Sequence, residues 1–381
     1  MEKYKVGSKK IKVGIIGATG MVGQRFITLI NNHPWFELAS VAASSRSAGK
    51  TYEEAVDGRW MMSDPIPEAA KKLSVLSAEA NIKDVADSVD FVFSAVDMKK
   101  EEIKALEEAY AKAECPVVSS NSAHRWTPDV PMIIPELNPH HTDIIDFQRK
   151  RLGTKRGFIT AKSNCSIQSY MPPLYALHNT YTKFNLNRVL VCTYQAISGA
   201  GKTFETWPEM VGNVIPYISG EEEKSEIEPH KIWGTLTKDK SDDHWSIAPA
   251  TSPAITTQCV RVAALDGHMG AVFMSFENKP EIEEIKQIWQ DYKGYPQRQN
   301  LPSAPKQFMH YFEEDNRPQT KLDCNLENGM AISLGRLRPD TQYDYKFICL
   351  SHNTLRGAAG GAILTAELLC NEGYILPNKK G

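Results

Sequence analysis

Residues 11–16, Ile-Lys-Val-Gly-Ile-Ile, form an apolar strand that runs directly into Gly17-Ala-Thr-Gly20-Met-Val-Gly23, and Met21 to Asn31 carries helical spacing. No other feature restricts the fold as much. A strand that turns on spaced glycines straight into a helix forces that helix back onto the strand, the first half of a right-handed crossover. The alternation continues, with strands expected at 36–43, 89–96, 115–119 and 132–134 and a helix over 99–113. This pattern predicts an α/β fold opening on a Rossmann-type, doubly wound parallel sheet. The same turn leaves the first N–H groups of the helix unpaired at its positive dipole end, where a pyrophosphate is held.

After Gly153 the pattern changes. Residues 188–195, 259–264, 270–276 and 345–350 are rich in β-branched and aromatic side chains, with few helices between the last of them. They predict an α+β second domain on a largely antiparallel, mixed sheet. A helix is expected over 171–179, a polar helix or lid over 220–232, and a surface loop over 290–320. The last helix, 353–369, contains Gly-Ala-Ala-Gly-Gly-Ala. Glycine costs up to about 1 kcal/mol per residue in a helix, so close approach to another backbone or to a cofactor is expected there. The expected division is 1–157 with 353–381 as the cofactor-binding domain, and 158–352 as the catalytic and dimerisation domain.

The 381 residues carry a net charge of −2, which gives no reason to expect nucleic acid or a membrane surface as partner. No apolar run approaches a membrane span and no signal core precedes the first strand, so the cytoplasm is the expected compartment. Seven cysteines are scattered without a C-x-x-C pair, and no metal is expected. Cys192, Cys259 and Cys349 lie in apolar stretches and read as buried small hydrophobes. Cys165 alone has polar neighbours on both sides, and it sits just before a predicted helix whose dipole and free amides would favour a thiolate and a developing oxyanion.

His268 closes Arg261-Val-Ala-Ala-Leu-Asp-Gly-His268. If the chain turns at Asp266-Gly267, Arg261 and His268 reach one cleft, where an Arg fork suits a carboxylate. The second strand settles the nucleotide. It ends in Ala43-Ser44-Ser45-Arg46-Ser47-Ala48-Gly49-Lys50 without an acid, while Glu37 lies at its other end. Hydroxyls and cations suit a 2′-phosphate, so NADP is expected. A cysteine, a histidine and a nicotinamide site together point to thiol-dependent acyl chemistry coupled to hydride transfer.

GATGMVGQRF, SNCSIQ, TYQAISGAG, IPYISGEEEK, RVAALDGHMGAV and NTLRGAAGGAILTAE occur here in that order. Over essentially its whole length the chain resembles the aspartate-β-semialdehyde dehydrogenases of the archaeal and fungal branch. The resemblance implies that Cys165 is the nucleophile, His268 the general acid/base and Gln195 the residue that orients the substrate. It implies that Arg261 clamps the α-carboxylate, that Glu221 meets the α-amino group, and that Lys224, Arg125 and Asn164 hold phosphate. Cofactor contacts are implied for Gly17, Thr19, Gly20, Met21, Val22, Gly23, Ser44, Arg46, Ser47, Ser94, Ala95, Ser198, Gly199 and Asn353. Ser166-Ile167-Gln168 departs from the Thr-rich continuation of many relatives, which concerns what surrounds the thiol.

The implied reaction is reductive dephosphorylation of aspartyl phosphate to aspartate semialdehyde with NADPH, by a homodimer or homotetramer. The alternative is an acyl-CoA reductase acting on malonyl-CoA with the same Cys–His pair, which would leave Glu221 without an ammonium to meet. Pro-Gly-Cys and Ser-Cys-Thr-Thr-Asn contexts, which mark two other Cys-dependent reductase families, are absent. A catalytically dead NADP-binding scaffold would have lost Cys165, Gln195, Arg261 or His268, and all four are present.

Overall fold

The computed structural model describes residues 9–179, 183–238 and 244–377. Residues 1–8 and 378–381, the ends of the expected first domain, lie outside the described residues. The opening unit is β1 (Ile11–Ile16), a helix (Met21–Ile30) and β2 (Phe36–Ala43). β3 (Val75–Ser77), β4 (Phe91–Ser94), β5 (Val117–Ser119), β6 (Met132–Ile133) and β7 (Ile159–Lys162) follow. They form one seven-stranded sheet in the order β3-β2-β1-β4-β5-β7-β6. Every ladder in it is parallel. β4 and β7 are buried throughout, as strands covered on both faces must be. The order reverses between β1 and β4, which opens a crevice at their C-terminal ends. The sheet takes in β7, past residue 157.

The second sheet runs β14-β15-β16-β13-β8-β12-β9. Its strands are β8 (Leu186–Gln195), β9 (Val214–Ile215), β12 (Ala254–Val262), β13 (His268–Phe276), β14 (Met309–Phe312), β15 (Ile332–Pro339) and β16 (Tyr345–Ser351); β10 (Thr235–Lys238) and β11 (Trp245–Ala248) form a separate two-stranded antiparallel sheet. β12 lies parallel to β8 and β14 to β15, and the other ladders are antiparallel. One face packs Val191, Val272 and Phe347 against Leu174 and Trp289 from the helices Ile167–Asn179 and Ile282–Asp291. The other face alternates with it and leaves Leu190, Cys192, Ala271, Phe273 and Ile348 half-buried. Cys192 is therefore not the buried residue expected, because its place in the two-residue period puts it on the open face.

The stretch 290–320 also differs from the loop expected. It holds a helix at Tyr295–Gln299 and the edge strand β14, and buries Leu301, Phe308 and Met309. Elements this short show too few turns or pairs to leave a period in the sequence. At the C-terminus, a π turn (Leu355–Ala359) leads into the helix Gly360–Asn371, which sits in the first sheet's core beside Ile15, Phe93 and Val118.

Candidate active site

β8 lies between β12 and β13, so the chain from Arg261 to His268 must pass over the end of β8. Arg261 is in register with Gln195, and Met269 with Tyr194. The next residue, Ala196, consequently meets both side chains. Its N–H donates to His268 Nδ1 at 3.1 Å, and its carbonyl accepts from Arg261 Nη1 at 2.8 Å. Gly267, at φ +96°, makes the turn before His268. Asn353 Oδ1 accepts from the Gly267 N–H at 2.8 Å, Asn353 Nδ2 donates to Ser198 Oγ at 2.8 Å, and Ser198 Oγ donates to Asp266 Oδ1 at 2.7 Å. Gly199 lies against the ring, where a Cβ would stand 3.0 Å from both Cε1 and Nε2.

His268 is fully buried, and desolvation pushes its imidazole down to about 3. The ring is neutral at physiological pH. With Nδ1 accepting from Ala196, its proton sits on Nε2. That Nε2 is buried and has no partner among the described residues. A buried donor without an acceptor costs roughly 1–3 kcal/mol unless a ligand supplies one.

Cys165 lies between β7 and the helix Ile167–Asn179. Asn164 Oδ1 accepts from the Ser166 N–H at 2.7 Å and from Ser166 Oγ at 2.9 Å, while Gln168 Nε2 donates to Ser163 Oγ at 2.6 Å. The departure from the Thr-rich pattern thus brings its own lock for the turn. Cys165 and Cys192 are half-buried; the other cysteines are buried, and all are free. Burial, and then Glu221, push the Cys165 thiol up to about 11, while Lys162, Arg125 and Arg261 oppose them.

The charge run 221–224 starts a helix, Glu221–Ile232, with two working faces. Glu221, Ser225 and Glu228 share the buried face. Glu221 accepts from Gln195 Nε2 at 3.4 Å and pairs with Lys224 at 3.3 Å. Ser225 Oγ meets Ser166 Oγ at 2.9 Å. Glu228 accepts from Arg125 Nη1 at 2.8 Å and from the Asn164 N–H at 2.6 Å. Glu222 instead accepts from the Cys259 N–H at 3.0 Å on the β12 edge, and Glu223 is exposed. Glu221 is the glutamate of the run that faces the thiol. Arg125 and Lys224, expected at the phosphate, each already hold a carboxylate.

The glycine turn assigns its glycines different tasks. A Cβ at Gly17 would lie 2.2 Å from the Ala95 carbonyl, and one at Gly23 2.3 Å from the Gly17 carbonyl. At Gly20 the nearest atom would be 3.6 Å away, so the fold itself tolerates a side chain there. Gly20 provides no side-chain cap, which leaves the first-turn amides of Met21, Val22 and Gly23 open. A cavity of about 260 Å³ at this end is lined by Gly17, Thr19, Gly20, Ser44, Arg46 and Ala95. An uncapped helix end above a hollow rimmed by a guanidinium and a hydroxyl fits a phosphorylated dinucleotide. Ser47 and Ser94 are buried behind this lining, Ser94 Oγ accepting from Asn121 at 2.9 Å. Ser198, Gly199 and Asn353 stand at the far end, around His268.

Sequence reading missed Glu79, Asp97 and Met98 in the cavity wall, and Ser225, Glu228 and Lys162 around the thiol turn. Lys162 had a visible signal, a lysine closing the apolar strand three residues before Cys165. Glu228 had none, because its meaning depends on which helix face turns inward.

Two models of the semialdehyde dehydrogenase family match the chain, the NAD binding domain over residues 12–145 and the dimerisation domain over 174–356. Aspartate-semialdehyde dehydrogenase from Aspergillus fumigatus is 40% identical over 372 residues, covering 96% of this chain and 99% of that one. The Methanothermobacter thermautotrophicus enzyme of the same name is 39% identical, covering 94% and 99%. Among solved structures, aspartate semialdehyde dehydrogenase with NADP from Candida albicans superposes with a TM-score of 0.84 at 35% identity, covering 96% and 100%.

Proposed function

Because the chain belongs to the aspartate-semialdehyde dehydrogenase family, we propose that the cleft shared by Cys165, His268, Arg261 and Glu221 performs that family's reaction. The reaction is the NADPH-dependent reductive dephosphorylation of aspartyl phosphate to aspartate semialdehyde, in lysine, threonine and methionine biosynthesis. The observation that carries the residue assignment is the Ala196 peptide, which holds the acid/base ring by its N–H and the carboxylate clamp by its C=O.

Arg261 pairs with the substrate α-carboxylate through the part of its fork that Ala196 leaves free. Glu221 takes the α-ammonium, and Gln195 orients the acyl group. Cys165 Sγ attacks the acyl carbon; the C–S bond forms as the C–O bond to phosphate breaks. Lys224, Arg125 and Asn164 receive the phosphate, which competes with Glu221 and Glu228 for the cations. NADPH, when bound, supplies the hydride that reduces the thioester. His268 Nε2–H donates a hydrogen bond to the oxygen on which charge develops; handing that proton to the hemithioacetal must be balanced by a proton taken up from solvent at Nδ1, so full transfer requires Ala196 to release Nδ1.

The glycine turn and the Ser44–Arg46 rim hold the cofactor in a domain built on the first sheet, through β7, with the C-terminal helix Gly360–Asn371 in its core, and the second sheet carries the catalytic and dimerisation domain. Two copies meet through the half-open face of the second sheet. Among the described residues no helix is long and apolar enough to cross a membrane. The compartment proposed is the cytoplasm, since a reactive thiol among free cysteines needs reducing conditions.

The test is NADPH formation from aspartate semialdehyde and NADP⁺ with and without phosphate. Phosphate-dependent turnover is expected, lost in Cys165→Ala while NADP binding persists. Turnover that ignores phosphate, or an active Cys165→Ala enzyme, rejects the proposal.

A further inference from the structure

Lys162 closes β7 with 3% of its surface exposed. Its Nζ donates one hydrogen bond, to the Ser163 carbonyl at 3.3 Å, and forms no ion pair among the described residues. Buried lysines here need not be so poorly served. Lys231 Nζ donates to the carbonyls of Arg125 at 2.6 Å, Val130 at 2.9 Å and Thr127 at 3.1 Å. Lys231 is a staple, whereas Lys162 is an under-satisfied ammonium kept out of water.

The C-terminal helix clears space for it. A Cβ at Gly361 would lie 2.7 Å from Lys162 Cε, and one at Gly357 would lie 2.8 Å from Cys165 Cβ. Both glycines lie on the stretch that leads from the π turn into the C-terminal helix, so this one segment abuts both side chains, which stand three residues apart in the thiol turn. The remaining charges near Lys162 are Arg125, Arg356 and Glu228. Arg125 is paired with Glu228 and Arg356 with Glu136. Across the thiol, Glu221 and Arg261 face Cys165. His268 is neutral, so it contributes no positive charge in the free enzyme.

We propose that the ammonium of Lys162 is the counter-charge that lowers the cost of ionising Cys165 and so raises the thiolate fraction that reacts, which makes Lys162 a positioning residue for the nucleophile. The inference rests on the reading of Cys165 as that nucleophile. Burial draws the lysine down to about 7, and the charge on Cys165 is the strongest influence acting against that fall. A buried pair of this kind shares its protonation, and each partner biases the other equally.

The experiment is the pH dependence of Cys165 alkylation by iodoacetamide in the intact, cofactor-free enzyme, read by peptide mass. Lys162→Met should move the midpoint up by about one unit, slowing alkylation roughly tenfold at neutral pH. Lys162→Arg should recover most of that rate. The Met variant should melt no lower than wild type, because an apolar isostere removes the cost of burying a charge. An unmoved midpoint in a folded Lys162→Met enzyme overturns the inference. Should that variant not fold, Cys165→Ser supplies the reciprocal measurement. The Lys162 titration midpoint, followed by its ¹³Cε resonance, must then fall, and an unchanged value overturns the proposal. An active Cys165→Ala enzyme defeats the nucleophile assignment itself, whereas an inactive one with unmoved midpoints defeats only the role of Lys162.

Discussion

A single peptide, at Ala196, holds His268 by its N–H and Arg261 by its carbonyl. Cys165 stood out through its polar neighbours, and Arg261 and His268 through their spacing and resemblance. A turn at Asp266-Gly267 already implied one cleft for Arg261 and His268; that both would be held by the Ala196 peptide was not legible, because it depends on β8 running between β12 and β13, a pairing no local pattern encodes. The geometry makes Arg261 doubly demanding, since one arm of its guanidinium is spent on the Ala196 carbonyl. Arg261→Lys cannot satisfy Ala196 and a carboxylate together. The KM for aspartate semialdehyde should rise roughly ten- to a hundredfold, with NADP binding unchanged; an unaltered KM in steady-state assays removes Arg261 from the site. In the mechanism proposed, His268 acts through the hydrogen on Nε2. His268→Ala should lower kcat by roughly 10²–10⁴, and His268→Gln, which still offers an N–H, should lose less. Equal losses in the two would mean that donation from Nε2 is not what the ring contributes.

Elements were legible where they were long and periodic. The helix at 220–232 was expected as polar, and the charges are there, but Glu221, Ser225 and Glu228 turn inward because each finds a partner at the thiol turn. Composition cannot report that division. Glycines in the opening turn make the point experimentally. Gly23→Ala drives a Cβ into the Gly17 carbonyl and should destabilise the fold by roughly 1–3 kcal/mol. Gly20→Ala meets no protein atom closer than 3.6 Å, so its melting temperature should stay near wild type while NADP affinity falls, as fluorescence titration would show. Should Gly20→Ala bind NADP normally, the turn approaches the cofactor less closely than its glycine suggests. At the other end of the chain, Gly357→Ala presses on Cys165 Cβ. Its effect should appear as lost kcat before any change in NADP binding, and normal turnover would show that the thiol turn is free to shift.

For the molecule as a whole, buried imidazoles hold segments that run between the two sheets. His141 takes the Asn138 amide on Nδ1 at 2.9 Å and donates Nε2–H to the Gly234 carbonyl at 2.9 Å, tying the end of the first sheet to the second domain. His352 accepts the Thr354 N–H at 3.2 Å where β16 hands over to the C-terminal helix. Burial pushes His141 and His352 down to about 4 and His268 to about 3. An unfolded histidine titrates near 6.5, so below that value the unfolded chain takes up protons that the folded chain refuses. The stability these rings confer is whole above pH 6.5. It drains away as pH falls toward 4 for His141 and 3 for His268. By pH 5 each of these two should have cost on the order of 2 kcal/mol, a large part of the 5–15 kcal/mol typical of a folded domain. Urea midpoints between pH 7 and pH 5 should therefore drop steeply, and His141→Gln, which keeps an amide but cannot titrate, should flatten the slope by about one ring's share. If stability stayed level across that interval, the histidines would have to be accepting protons in the folded state. The neutral ring assigned to His268 at the active site would then fail along with the acid sensitivity of the joints.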